Sequence, residues 1–241
     1  MPLSTERSTP SSTTGSWDAV QLLAEPTRRR IYETVRQAAG ALSRDEVAAR
    51  TNLNRRLAAF HLDRLAAAGL LTVSYARPPG RSGPGAGRPA KRFAAVATEV
   101  DVSIPPRRYD LAARILAEAI DSTERGDDPR RRAIDVAGRA GRRIGAAQAV
   151  TGRVGTRRAV AAATATLGDL GYQPQRADGG QFRLRNCPFD TVVEVAPALV
   201  CEANLALIEG ILNGLGVDAQ VAAEFVGPCD DCCVALCARD K

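Results

Sequence analysis

Apolar residues recur at helical spacing through most of the first 170 positions, and capping residues break the pattern at short intervals. Residues 17–23 and 26–39 predict two helices, the second entered through Pro26, whose missing N–H costs nothing in a first turn. Ser43 followed by Glu46 forms a capping box for a short helix carrying Val47 and Ala48. After Thr51-Asn52-Leu53, Asn54 can cap a second short helix. Ala58, Leu62 and Leu65 place one face of that helix in the core, and Gly69 ends it. Residues 70–75 and 91–96 then read as strands on either side of RPPGRSGPGAGRPA, which its Gly and Pro content makes a loop.

A boundary falls at 100–106. Beyond it, Leu111, Ile115, Leu116, Ala119 and Ile120 mark an amphipathic helix over 107–123. Ala-rich, Arg-studded helices follow at 129–150 and 156–170. After Gly171 the pattern changes again, to strands at 172–176 and 181–185 around a Gly179-Gly180 turn. A helix at 197–215 and strands at 219–225 and 233–237 complete the chain. No internal repeat is visible. Residues 1–16 are Ser/Thr-rich with almost no apolar content, the composition of a disordered tail. They lack the apolar run of a signal peptide, so a cytoplasmic protein without a membrane span is expected.

Charge changes the meaning of the first half. Residues 26–110 carry 16 basic and 7 acidic side chains, a net +9. Residues 187–241 carry 2 basic and 9 acidic ones, a net −7. A basic face at one end and an acidic region at the other suit a nucleic-acid contact separate from a second task. Asn54, Arg55, Arg56, Ala59 and Arg64 belong to the second short helix, with Arg55, Arg56 and Ala59 off its apolar face and near its N-terminus. That is the end of a recognition helix that meets base edges. Arginine can pair bidentately with guanine there, and a small alanine permits close approach. Arg81, Arg88, Lys91 and Arg92 belong to the basic hairpin beside it and suit phosphate or minor-groove contact. An ordinary pair of helices with a solvated Arg pair is the bland alternative, and the flanking basic hairpin argues against it. For Arg130-Arg131-Arg132 and Arg142-Arg143, solvated helix faces are expected. Double-stranded operator DNA is the expected partner, and no small-molecule substrate is indicated.

All six cysteines lie between 187 and 237. In a cytoplasmic chain such clustering points to metal or cluster ligation, or to a redox switch, rather than to a disulfide framework. Cys187 in a loop, Cys201 near a helix start, and Cys229, Cys232 and Cys233 around the last turn could bring thiolates to one point, as a soft metal requires. If Cys232 and Cys233 begin a strand, they face opposite ways and only one reaches the site. Cys237 reads as a packing residue. A thiol enzyme is the weaker alternative. The only histidine, His61, lies in the second short helix, and the two acids inside Cys229-Asp230-Asp231-Cys232 would raise thiol pKa values. No P-loop or dinucleotide fingerprint is present, so no catalytic residues are expected.

The segment with Leu53, Asn54, His61-Leu62, Leu65, Gly69-Leu70 and Gly87-Arg88-Pro89 resembles winged helix-turn-helix regulators of the ArsR-like families. NCPF, ALVCEANLALIEGILNGLG, CCVAL and PPRRYDLAARIL extend the resemblance to an actinobacterial group related to SufR-like regulators. It implies a homodimeric repressor holding a [4Fe–4S] cluster through Cys187 and Cys201. The third ligand is Cys229 by spacing, or Cys232 or Cys233 by the strand that follows, and no fourth ligand is named. Zinc held by Cys187, Cys201 and two turn cysteines is the alternative cofactor. The expected fold is mainly α with α+β parts. After a disordered tail (1–16) come a winged helix-turn-helix domain (17–100), a helical linker and dimerisation region (101–170), and a small cysteine-rich α+β sensor domain (171–241).

Overall fold

The structure, a computed structural model, describes residues 13–76, 89–97, 100–124, 126–227 and 231–239. Contacts divide the chain into two compact units, residues 1–102 and 103–241.

The first unit runs α1 (Thr13–Ala24), α2 (Pro26–Arg36), β1 (Leu42–Ser43), α3 (Arg44–Thr51), α4 (Arg55–Ala67), β2 (Leu71–Ala76) and β3 (Ala90–Ala95). Local chemistry sets its boundaries. The Glu25 side chain accepts from the Thr27 and Arg28 N–H groups and so caps α2. The Ser43–Glu46 capping box is closed in both directions, with Ser43 N–H donating to Glu46 Oε2 at 2.7 Å. Asn52 ends α3 in the left-handed region, and Asn54 Oδ1 accepts from Leu57 N–H at 2.8 Å to start α4. Gly69, at φ +73°, turns the chain out of α4, and Leu70 N–H returns to the Leu65 carbonyl. The sheet is antiparallel in the order β1–β3–β2, with Leu42 and Val73 both opposite Phe93. Ile31, Val47, Ala58, Leu62, Leu65 and Phe93 are fully buried and make its core.

Several expectations change here. Helix α1 begins at Thr13, inside the stretch expected to be a tail as far as residue 16, and residues 1–12 lie outside the described residues. Helix α2 stops at Arg36, three residues early, with the Gln37 N–H closing its last turn. The two-residue strand β1 was not legible, since only its pairing with β3 defines it.

The second unit contains α5 (Tyr109–Asp121), α6 (Pro129–Ala146), α7 (Thr156–Asp169), β4 (Pro174–Arg176), β5 (Gln181–Leu184), α8 (Asp190–Val195), α9 (Pro197–Leu215), β6 (Val221–Phe225) and β7 (Val234–Ala238). Its sheet is antiparallel in the order β4–β5–β7–β6. The helices expected to form a separate linker do not stand apart. Ile115, Val136, Ala163 and Leu167 share one core with Leu184, Ile208, Ile211 and Val234. Helix α9 is apolar and long enough to cross a bilayer, but it is the central helix of this core, with Leu207, Ile208, Ile211, Leu212 and Leu215 buried.

The tightest packing is between α6 and α9, which run parallel. A Cβ on Gly141 would overlap the Leu207 carbonyl oxygen, and one on Gly145 would overlap that of Ile211. On the facing helix, a Cβ on Gly210 would strike the Gly138 carbonyl, and one on Gly214 the Arg142 carbonyl. Glycine at these four positions lets backbone touch backbone, which brings the N-terminal half of α9, with Cys201 and Asn204, to a set depth in the core.

Candidate functional site

Helix α4 presents a mixed face to solvent. Asn54, Arg55 and Arg56 are exposed at its start, Ala59 is half-buried, and Arg64 is exposed one turn further on. Arg55 pairs with Asp45 at 2.8 Å, with both side chains more than two-thirds exposed, so water and salt leave that pair weak. Phe60 is 52% exposed between Arg56 and Arg64, and the Arg64 guanidinium lies 5.5 Å from its ring centre. The sequence reading did not single out Phe60. Its signal was an aromatic residue off the Ala58–Leu62–Leu65 face.

The hairpin residues behave differently. Arg81 and Arg88 lie outside the described residues. Lys91 Nζ reaches Asp63 Oδ1 at 2.5 Å and sits 5.1 Å from the Phe93 ring centre. Arg92 donates twice to the Ala41 carbonyl, at 2.9 and 2.7 Å, and pairs with Glu46 at 3.1 Å. Both were expected on the DNA surface. Within the unit they tie β3 to α4 and to the start of α3, because the antiparallel register puts acidic and carbonyl acceptors within reach. Burial works against the Asp63 carboxylate, yet hydrogen bonds from Lys91 and Arg44 outweigh it and hold its pKa below the usual range. His61 is a buried packing residue that accepts from Arg28 Nε at 3.4 Å. Burial pushes its pKa down, against the pull of Glu25.

The second unit gathers four buried thiols from three places. Cys187 sits in the loop before α8, Cys201 is in the second turn of α9, and Cys232 and Cys233 immediately precede β7. Hydrogen bonds link Cys187 to Cys232, Cys232 to Cys233, and Cys233 to Cys201. The expectation that only one of Cys232 and Cys233 could face the site is corrected. Strand β7 starts at Val234, so the alternation of side chains does not apply to the pair. Both sulfurs meet Asn204 Nδ2, at 3.2 Å for Cys232 and 3.9 Å for Cys233. Cys237, on β7, interacts with Glu224 and Gln181 instead, and Cys229 lies outside the described residues.

Polar contacts hold the Cys187 loop in place. Arg107 donates to Asn186 Oδ1 and to the Cys187 carbonyl, each at 2.7 Å, and pairs with Asp190 at 2.8 Å. Asn186 in turn donates to the Gly171 and Pro106 carbonyls. The thiols polarise one another. The hydrogen bond from Cys232 lowers the Cys233 pKa to about 6, with Cys201 and Asn204 adding to it against the effect of burial. The Cys232 contact also lowers the Cys187 pKa, while Cys232, hydrogen-bonded to both neighbours and buried, is driven up. Asn204 and Tyr172, whose hydroxyl donates to Asn204 Oδ1 at 2.6 Å, were not anticipated. The signal for Asn204 was one polar residue three positions after Cys201 on an otherwise apolar helix face. Among the described residues, no group of three or more His, Cys, Asp or Glu side chains is arranged to hold a metal ion.

Capped helices α3 and α4, a turn between them, and the β2–β3 hairpin that follows define the first unit as a winged helix-turn-helix. Residues 23–74 match a family model described as a helix-turn-helix domain. The match supports a DNA-binding transcriptional regulator of the winged-helix class. No curated protein and no solved structure matches the chain.

Proposed function

We propose that the protein is a homodimeric repressor, acting in the cytoplasm, whose operator affinity is set by a thiolate-held [4Fe–4S] cluster in the second unit. The observation that carries this reading is the buried, linked set of Cys187, Cys201, Cys232 and Cys233 in a unit other than the DNA-binding one. The donor chemistry suits a soft centre, with sulfur from three elements shielded by apolar core and an amide N–H aimed at two of the sulfurs, although as placed here the thiols do not by themselves form a metal-holding group. Cys187, Cys201 and one or both of Cys232 and Cys233 would hold the cluster. When bound, the cluster supplies a redox- and oxygen-sensitive group.

The remaining work belongs to the chain. Arg107 and Asn186 hold the Cys187 loop against Gly171, and the α6–α9 glycines set the depth of Cys201. In the first unit, Arg55, Arg56, Phe60 and Arg64 form the surface that meets the major groove, the arginines through guanine edges or phosphate and Phe60 through a thymine methyl. In the dimer, two such helices must match half-sites about 34–36 Å apart. Occupancy changes affinity to the extent that the DNA-binding arrangement holds the centre more or less tightly.

A second reading, zinc in the same site, is favoured by the direct hydrogen-bond contacts among the thiols. Zinc takes four thiolates in a closed tetrahedral site. Anaerobic purification with iron, sulfide and zinc analysis separates the two. Operator binding is then compared for as-isolated protein, anaerobically reconstituted protein, Cys187→Ser and Cys201→Ser. Iron and sulfide with cluster-dependent affinity is the expected result. Zinc without sulfide overturns the cluster, and equal affinity in all four samples overturns control by the thiols.

A further inference from the structure

Asn204 is 2% exposed and stands on the buried face of α9, three residues after Cys201. Both ends of its amide are occupied. Nδ2 donates toward the sulfurs of Cys232 and Cys233, and Oδ1 accepts the Tyr172 hydroxyl at 2.6 Å. Tyr172 is 1% exposed, and its hydroxyl keeps its proton because burial, reinforced by the neighbouring thiols, drives its pKa well above the ordinary value. The orientation follows from these two contacts. With the amide reversed, its oxygen would confront the sulfurs, and the tyrosine proton would face an NH2 group in the core, leaving a buried donor without its acceptor. The tyrosine therefore holds the asparagine as a donor to sulfur, a polarity that favours thiolate or metal–thiolate over S–H.

We propose that Asn204 is a positioning residue for the centre held by Cys232 and Cys233, its N–H tuning their sulfurs, and that Tyr172 locks its amide in the donating orientation. The proposal rests on the reading that these thiols hold a soft metal. Donors that orient and polarise metal ligands are worth about 10–100-fold in affinity when removed. An N–H···S bond also lowers the energy of the sulfur lone pair, so sulfur-to-metal charge transfer requires more energy while that bond is present.

The test is an anaerobic titration of reduced, full-length apo-protein with cobalt(II) alone, followed through its near-ultraviolet thiolate-to-cobalt absorption. Wild type is compared with Asn204→Leu, which removes the donor, and with Tyr172→Phe, which removes only a hydroxyl and keeps the ring. The expected result is a shift of the band to lower energy in both variants. Affinity should fall about tenfold or more in Asn204→Leu and less in Tyr172→Phe. Wild-type absorption and affinity in both variants would overturn the role of Asn204 while leaving the metal reading intact. Weaker binding at unchanged band energy would also overturn it, by making Asn204 a packing residue. No thiolate band in wild type would overturn the metal reading itself. Should Asn204→Leu fail to fold, the band energy of Tyr172→Phe decides the question.

Discussion

Replacing Gly141 with alanine should destabilise the second unit, although alanine is by itself the better helix former. The propensity gain is about 1 kcal/mol. Against it, the new Cβ overlaps the Leu207 carbonyl oxygen and lies 2.9 Å from the Ile211 nitrogen and 3.0 Å from the Leu207 carbonyl carbon. All three are backbone atoms, so no rotamer change relieves the clash and the helices must part. Parting them loosens the contacts at Gly145, Gly210 and Gly214 as well. Overpacking of this kind costs about 3 kcal/mol, so a net loss of about 2 kcal/mol is expected. Urea unfolding followed by far-ultraviolet circular dichroism is the suitable assay, because the only tryptophan, Trp17, lies in the first unit. With a slope near 2 kcal/mol per molar urea, the midpoint for the second unit should fall by about 1 M. Gly168→Ala is the control. It sits in α7 with nothing within 4 Å of its would-be Cβ, and should raise stability by about 0.5–1 kcal/mol. A Gly141→Ala protein that matches or exceeds wild type would refute backbone contact between α6 and α9.

Three further outcomes can be checked. His61 is held below its unfolded pKa of about 6.5, so its contribution is present above that pH and is lost as pH falls from there through the folded value; His61→Gln should flatten this part of the stability profile read by Trp17 fluorescence. Arg56→Ala and Arg64→Ala should each lower the slope of log affinity for DNA against log salt by about 1, whereas Lys91→Met should leave the slope unchanged; a drop with Lys91→Met would return that residue to the DNA surface. Phe93→Ala should cost the first unit about 3–5 kcal/mol, a large fraction of a small domain's stability, seen as a lowered urea midpoint by tryptophan fluorescence.

The boundaries of α3, α4 and α9 were legible because the signals that set them are local. Ser43 with Glu46, Asn54, and Gly69 act within a few residues of their own backbone, and Pro197 and Gly216 do the same for α9. The exposed side of α4 was legible for a related reason, since helical periodicity alone separates Arg56 and Arg64 from Ala58, Leu62 and Leu65. The intramolecular partners of Lys91 and Arg92 were not legible, because a basic residue on a hairpin has no local signature that points to Asp63 or the Ala41 carbonyl. Strand register decides that, and register depends on pairing across some fifty residues.

The cysteine site divides in the same way. Composition alone assigned thiol chemistry to residues 187–237, because six cysteines in one stretch and none before it is a pattern that needs no fold to be seen. That pattern carries no distances. Which sulfurs meet, that Cys232 and Cys233 both face inward, and that Asn204 and Tyr172 stand behind them follow from the packing of α9 against α6 and the sheet. By itself, then, the sequence determined the helices with their caps, the exposed side of α4 and the gathering of every cysteine in the second unit, since each depends on neighbours a few residues apart or on composition alone. Only tertiary structure decided the partners of Lys91, Arg92 and the four thiols, since contacts such as Lys91–Asp63, Arg92–Ala41 and Asn204–Cys232 join residues 28–51 positions apart and exist only once the chain has closed on itself.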